Sequence, residues 1–207
     1  MEVSASILSI KDNLKEELKK LTKTNISLIH LDIMDGEFVF NKTWNIEEVK
    51  QFINYDKPID VHLMVFDVYK YIDEFKELNP KYITFHYESN CNIMEVIKYI
   101  KSLNIKVGLS IKPNTKVESI VPYLPFVDLV LVMSVEPGKG GQKFIDSSIE
   151  KINKLVSLRG NYDYLIEVDG GINDETIKLI NADIAVVGSF LTNGDYNKNL
   201  EKLKERI

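Results

Sequence analysis

The chain has 207 residues, 44% of them hydrophobic, which is enough to bury a full core; no Pro/Gly/Ser-rich linker or sustained charge block divides it, so it is read as one domain over 1–207. A net charge of −5 speaks against a dedicated nucleic-acid surface, and Lys15, Lys19 and Lys20 are interleaved with acidic residues as on a solvated helix face. Cys91 stands alone, which excludes disulfide stapling and a cysteine metal cluster, while the absence of a signal-like start or a bilayer-length apolar run leads to the expectation of a soluble, cytoplasmic protein with no membrane partner.

In chain order, short apolar runs alternate with segments of helical spacing. Strands are predicted over 3–8, 26–33, 59–65, 82–86, 106–111, 129–133, 164–168 and 184–187. Helices are predicted over 13–21, 46–53, 68–78, 93–103, 145–158, 174–180 and 196–206, with a weak one over 117–123 that Pro122 and Pro125 cut short. Eight strand–helix units in a chain of this length predict an α/β fold, a compact (β/α)8 TIM barrel, with an open doubly wound sheet as the alternative. Both folds carry their chemistry at the carboxyl ends of the strands.

Those ends are where the polar residues collect. Side chains alternate along a strand, so His30 and Asp32 share one face of the second strand while Leu31 and Ile33 share the other. His62 sits with Met64 on one face of the third strand, His86 and Glu88 close the fourth, and Glu167 and Asp169 lead into Gly170 and Gly171 after the seventh. All three histidines of the chain thus lie at strand ends. Two histidines and two aspartates from different strands are ligand types suited to Zn, Fe or Mn, with identity open. His86 reads instead as a histidine bonded to Glu88 or to substrate. Asp35 lies three residues beyond Asp32, so alternation turns it away, and a turn role before Gly36 is expected.

Glycine-bearing loops follow the last three strands: Gly138, Gly140 and Gly141 with Lys139 and Gln142 after the sixth, Gly170 and Gly171 after the seventh, Gly188 with Ser189 after the eighth. Glycine admits close approach of backbone amides to an anion, and barrels commonly seat phosphate beside strands seven and eight.

With these residues in view, the chain resembles the ribulose-phosphate 3-epimerase family over essentially its whole length. The resemblance is carried by Ala5-Ser6-Ile7-Leu8-Ser9, by Ile29 to Gly36 continuing through Phe38, Val39 and Asn41, by Asp60-Val61-His62-Leu63-Met64-Val65, by Val132 to Gly138 with Gly140 to Phe144, and by Glu167-Val168-Asp169-Gly170-Gly171-Ile172. It implies a (β/α)8 barrel of the ribulose-phosphate-binding type. His30, Asp32, His62 and Asp169 match the family's ligands for one divalent metal ion, and Asp32 and Asp169 its acid/base pair. Ser6, His62, Met34, Met64 and Met133 match substrate-pocket residues, and Gly138, Gly140, Gly141, Gln142, Gly170, Gly171, Gly188 and Ser189 the loops that hold the phosphate. Also implied are a small ketose phosphate as partner, a homo-oligomer, and inversion of carbon three between D-ribulose 5-phosphate and D-xylulose 5-phosphate in the pentose phosphate pathway. The alternatives are a D-allulose 6-phosphate 3-epimerase and a non-catalytic phosphosugar- or metal-binding barrel. A lyase or decarboxylase on a related barrel is disfavoured, because no lysine ends strands two, three or seven. The chain departs from the family pattern at Glu37, Phe40 and Lys139, and is short over 180–183.

Overall fold

A computed structural model describes residues 1–53 and 56–206. Its centre is a closed barrel of eight parallel strands in sequential order: β1 (Glu2–Ser6), β2 (Leu28–Met34), β3 (Ile59–Met64), β4 (Tyr82–His86), β5 (Lys106–Ile111), β6 (Leu129–Met133), β7 (Leu165–Asp169) and β8 (Ile184–Val187), with β8 pairing back onto β1. This is the (β/α)8 barrel expected from the strand–helix alternation.

Alternation along each strand divides the core in two. The outward faces of β2 and β3, Ile29, Leu31, Ile33, Val61 and Leu63, are fully buried under the helices with Leu18, Leu21, Val49 and Ile72. Each such aliphatic side chain contributes roughly 1.5–3 kcal/mol when removed from water. The inward faces begin with an apolar plug of Leu28, Tyr82, Leu129, Leu131 and Ile184. Above it the interior turns polar, with Ser4, His30, Asp32, Asp60, His62, Thr84, His86 and Glu167 all buried.

Helices α1 (Leu14–Leu21), α2 (Ile46–Phe52), α3 (Val68–Phe75), α4 (Ile93–Ser102), α5 (Ser148–Leu158), α6 (Ser189–Thr192) and α7 (Tyr196–Lys204) surround the barrel. Several starts are set by local chemistry. Asn45 and Glu48 form a reciprocal capping box at α2, and Asp67, Asn92 and Asp195 accept backbone N–H groups at α3, α4 and α7. None of the helices among the described residues is long and apolar enough to cross a membrane.

Three predicted helices are corrected. The weak segment over 117–123 is a pair of 3-10 turns, Val117–Ser119 and Val121–Phe126, because Pro122 and Pro125 lack the N–H that an α-helix requires. The predicted helix over 174–180 is a single 3-10 turn, Thr176–Leu179. Asn173 accepts the Glu175 and Thr176 N–H groups to open it, and the short 180–183 segment leaves no room for a second turn before β8. The helix predicted from 145 begins at Ser148, after a turn in which Ser148 N–H bonds the Ile145 carbonyl. The four-residue α6 falls where no helix was predicted.

Candidate metal and phosphate site

The register of the barrel assembles the polar residues. Asp32 on β2 lies opposite His62 on β3, and His30 opposite Asp60. Asp32 Oδ1 is 3.3 Å from His30 Nε2 and 3.1 Å from His62 Nδ1, and Asp169 Oδ2, arriving from β7, is 4.0 Å from each of these nitrogens. One ligand atom from each of the four residues lies within 4.8 Å of the others, so His30, Asp32, His62 and Asp169 could hold a metal ion.

The donor set fits a divalent cation, and one atom makes the case. His30 Nδ1 is 2.6 Å from Asp60 Oδ2, so this nitrogen carries a proton, and in the neutral ring Nε2 is left with a lone pair. That Nε2 is buried without a hydrogen-bond partner, facing two carboxylates. A buried acceptor aimed at acceptors is costly unless a cation or a proton lies between them. A histidine whose second nitrogen is held by a carboxylate is the usual arrangement of a metal ligand.

The carboxyl groups are driven apart electrostatically. Burial opposes the charge on Asp32, but His30 and His62 overcome it and hold its pKa well below the usual range. Burial, and then the charge of Asp32, push Asp169 up to about 6. Burial and then the charge of Asp60 likewise raise Glu167, whose oxygens have no donor partner, which favours its neutral form beneath the cluster. His30 is raised by Asp60 and Asp32 against its burial. Ser6 donates to Asp32 Oδ2 at 3.0 Å and fixes its second oxygen.

Above this floor lies a cavity of about 60 Å³, lined by Ser6, Asp32, Asp169, the thioether-bearing Met34, Met64 and Met133, and the loop residues Gly138, Gly140, Gly141, Gln142, Gly170, Gly171, Gly188 and Ser189. Every predicted pocket residue borders it except His30 and His62, which are fully buried behind Asp32. His62 therefore stands in the floor rather than on the cavity wall. Gly170 and Gly171 adopt positive φ of 123° and 66°. A Cβ at Gly171 would lie 2.3 Å from the Phe144 backbone nitrogen, so only glycine lets the loops after β6 and β7 meet. Ser134 donates its hydroxyl to the Asp169 and Gly170 carbonyls and ties these two loops together.

Asp35 takes the turn role expected of it: Oδ1 accepts the Glu37 and Phe38 N–H groups, and Oδ2 the Phe66 N–H. The loop so formed reaches across the mouth, where Asn41 Nδ2 donates to the Gly138 carbonyl at 2.7 Å. Of the departing residues, Glu37 and Lys139 are exposed and Phe40 is 99% exposed. Lys139 borders the cavity.

The family model described as "Ribulose-phosphate 3 epimerase family" matches residues 2–192. The chain belongs to the ribulose-phosphate 3-epimerase family. It is 40% identical to a ribulose-phosphate 3-epimerase of Helicobacter pylori over 200 residues, covering 92% of this chain and 90% of the relative. The corresponding enzyme of Methanocaldococcus jannaschii is also 40% identical, over 211 residues, covering 98% of this chain and 88% of the relative. Among solved structures, a 3-keto-L-gulonate-6-phosphate decarboxylase from Vibrio cholerae superposes with a TM-score of 0.69 at 13% identity, covering 99% of this chain and 96% of that one. At that identity the likeness concerns the barrel alone.

Sequence reasoning missed Asp60, Glu167 and Ser4. Asp60 binds His30 and also accepts from the Ser4 hydroxyl at 3.2 Å. The signal was present, since Asp60 precedes His62 by two residues and Glu167 precedes Asp169 by two, each pair on one strand face.

Proposed function

We propose that this protein is an isomerase that interconverts D-ribulose 5-phosphate and D-xylulose 5-phosphate by inverting carbon three. The reading draws on the names of the close relatives. The observation that carries it is the meeting of two aspartates of opposite proton affinity with two histidines on the floor of a cavity rimmed by glycine backbone.

Asp32, ionised, is placed to take the proton from carbon three; the C–H electron pair becomes the double bond of an enediolate and the ketone π pair moves onto oxygen. Asp169, whose proton affinity is raised to a pKa of about 6, delivers a proton to carbon three from the other face, and the roles exchange in the reverse direction. His30, Asp32, His62 and Asp169 would hold one divalent ion, of Zn, Fe or Mn type. When bound there, such an ion supplies Lewis-acid stabilisation of the negative charge on the enediolate oxygens. Met34, Met64 and Met133 exclude water from the reacting plane. The backbone of Gly141, Gly170, Gly171 and Gly188, with the Ser189 hydroxyl, takes the phosphate.

Asp32→Asn and Asp169→Asn test the pair. Each is expected to lower kcat by roughly 10²–10⁴-fold, the usual worth of general acid–base catalysis, and to stop exchange of the carbon-three proton with deuterated solvent at one face. Full activity in either variant would refute the assignment. A higher kcat/KM on D-allulose 6-phosphate than on D-ribulose 5-phosphate would overturn the pentose substrate.

A further inference from the structure

The third histidine lies outside the set of four, yet it touches it. His86, at the end of β4, is fully buried, with Nε2 2.9 Å from His62 Nε2 and Nδ1 3.2 Å from Glu88 Oε2. Glu88 Oε1 accepts the Lys112 backbone N–H at 2.9 Å and the Thr115 hydroxyl, both from the loop after β5. Against the cost of burial, the bonds from His86, Thr115 and Lys112 hold Glu88 down to about 2, so it is a carboxylate with no proton to give.

Proton counting then runs in one direction. The hydrogen between Glu88 and His86 belongs to His86 Nδ1, which in a neutral imidazole leaves a lone pair on Nε2. Only one hydrogen fits between two ring nitrogens 2.9 Å apart, so it belongs to His62 Nε2. The other nitrogen of His62, Nδ1, lies 3.1 Å from Asp32 Oδ1 and 4.0 Å from Asp169 Oδ2; the chain from Glu88 leaves it the lone pair, whereas the contact with Asp32 alone would put the hydrogen there. The His86 ring cannot turn freely, because Phe38 packs on it with ring centroids 4.9 Å apart, and Lys112 Nζ lies 3.9 Å from the centre of the Phe38 ring.

We propose that His86 and Glu88 are positioning residues that hold His62 as its Nε2–H tautomer, anchored on the β5 loop, and thereby present the Nδ1 lone pair to the space between Asp32 and Asp169. The inference rests on the reading of His30, Asp32, His62 and Asp169 as a metal site.

Zn²⁺ affinity, measured by competition with a chromophoric chelator, tests it in the full-length chain. His86→Phe keeps a ring but removes the acceptor, and is expected to bind Zn²⁺ about 10- to 100-fold more weakly, the usual cost of losing an outer partner of a ligand. His86→Gln, whose amide oxygen can accept from His62, is expected to recover most of that loss. A folded His86→Phe protein that binds Zn²⁺ as tightly as the wild type overturns the proposal. A second readout needs no variant: ¹⁵N NMR of histidine-labelled wild type, above pH 8 and with or without Zn²⁺, should find His62 protonated at Nε2 and His86 at Nδ1. The opposite pair of tautomers overturns the proposal even where His86→Phe does not fold. Failure of the wild type to bind Zn²⁺ would instead count against the metal-site reading, and the tautomers would still decide this one.

Discussion

Two regions of the barrel mouth are built on opposite principles. Around β2 and β3 the work is done by side chains: His30 is gripped directly by Asp60, and His62 through His86 and Glu88. Around the loops after β6 and β7 it is done by the absence of side chains, since Gly170 and Gly171 leave room that any Cβ would fill. The first region depends on where protons sit and the second on volume. Substitutions that conserve shape should therefore damage one, and substitutions that add a single carbon the other.

The largest effect is expected at Gly171→Ala. Left-handed strain of roughly 1–2 kcal/mol adds to overpacking of about 1–3 kcal/mol as the new Cβ meets the Phe144 backbone. Thermal unfolding should show a clear drop in Tm, and inorganic phosphate should inhibit the variant less well. Next is Asp60→Asn, which keeps shape and removes the charge that orients His30. Zn²⁺ binding should weaken by about 10- to 100-fold in a chelator competition, with the KM for substrate little changed. An unchanged Zn²⁺ affinity would break the comparison on the side-chain half.

A pH series sharpens it further. Glu88 has an ordinary pKa of 4.5 and is held to about 2 in the fold, so on acidification the unfolded chain takes up the proton first. Its contribution, on the order of 1–3 kcal/mol, is present above pH 4.5 and is lost as pH falls from there through 2. Glu88→Gln should flatten that part of the Tm-against-pH curve. The smallest effect is expected at Gly141→Ala. The φ of 72° strains it as at Gly171, but a Cβ there meets no atom within 4 Å, so about 1 kcal/mol is expected. Equal losses at Gly141 and Gly171 would show that volume is not what the second region depends on.

The same division governed what was legible in the sequence. The barrel, the shared face of His30 and Asp32, and the order of the glycine loops follow from period-two alternation and from where apolar runs end, which are local signals. Asp60 and Glu167 obey the same alternation but lie one inward-facing position below His62 and Asp169, deeper in the barrel than the strand ends at which a barrel's chemistry is expected. The His62–His86 contact had no local signal at all, because it exists only once β3 and β4 are paired and both rings turn inward. The missed turn at Thr176–Leu179 shows the converse: helical spacing was present, and the length of the connection overruled it.

The pairing of β8 with β1 has a consequence for assembly. Asp169 comes from β7 and the histidines from β2 and β3, so the four groups meet only after nearly the whole chain has been threaded into the ring. A cation captured there would report on closure of the entire ring rather than on the order of any one loop. It would stabilise the folded chain as a unit by RT ln(1 + [L]/Kd), and its loss would loosen the seam between first and last strands together with the site itself.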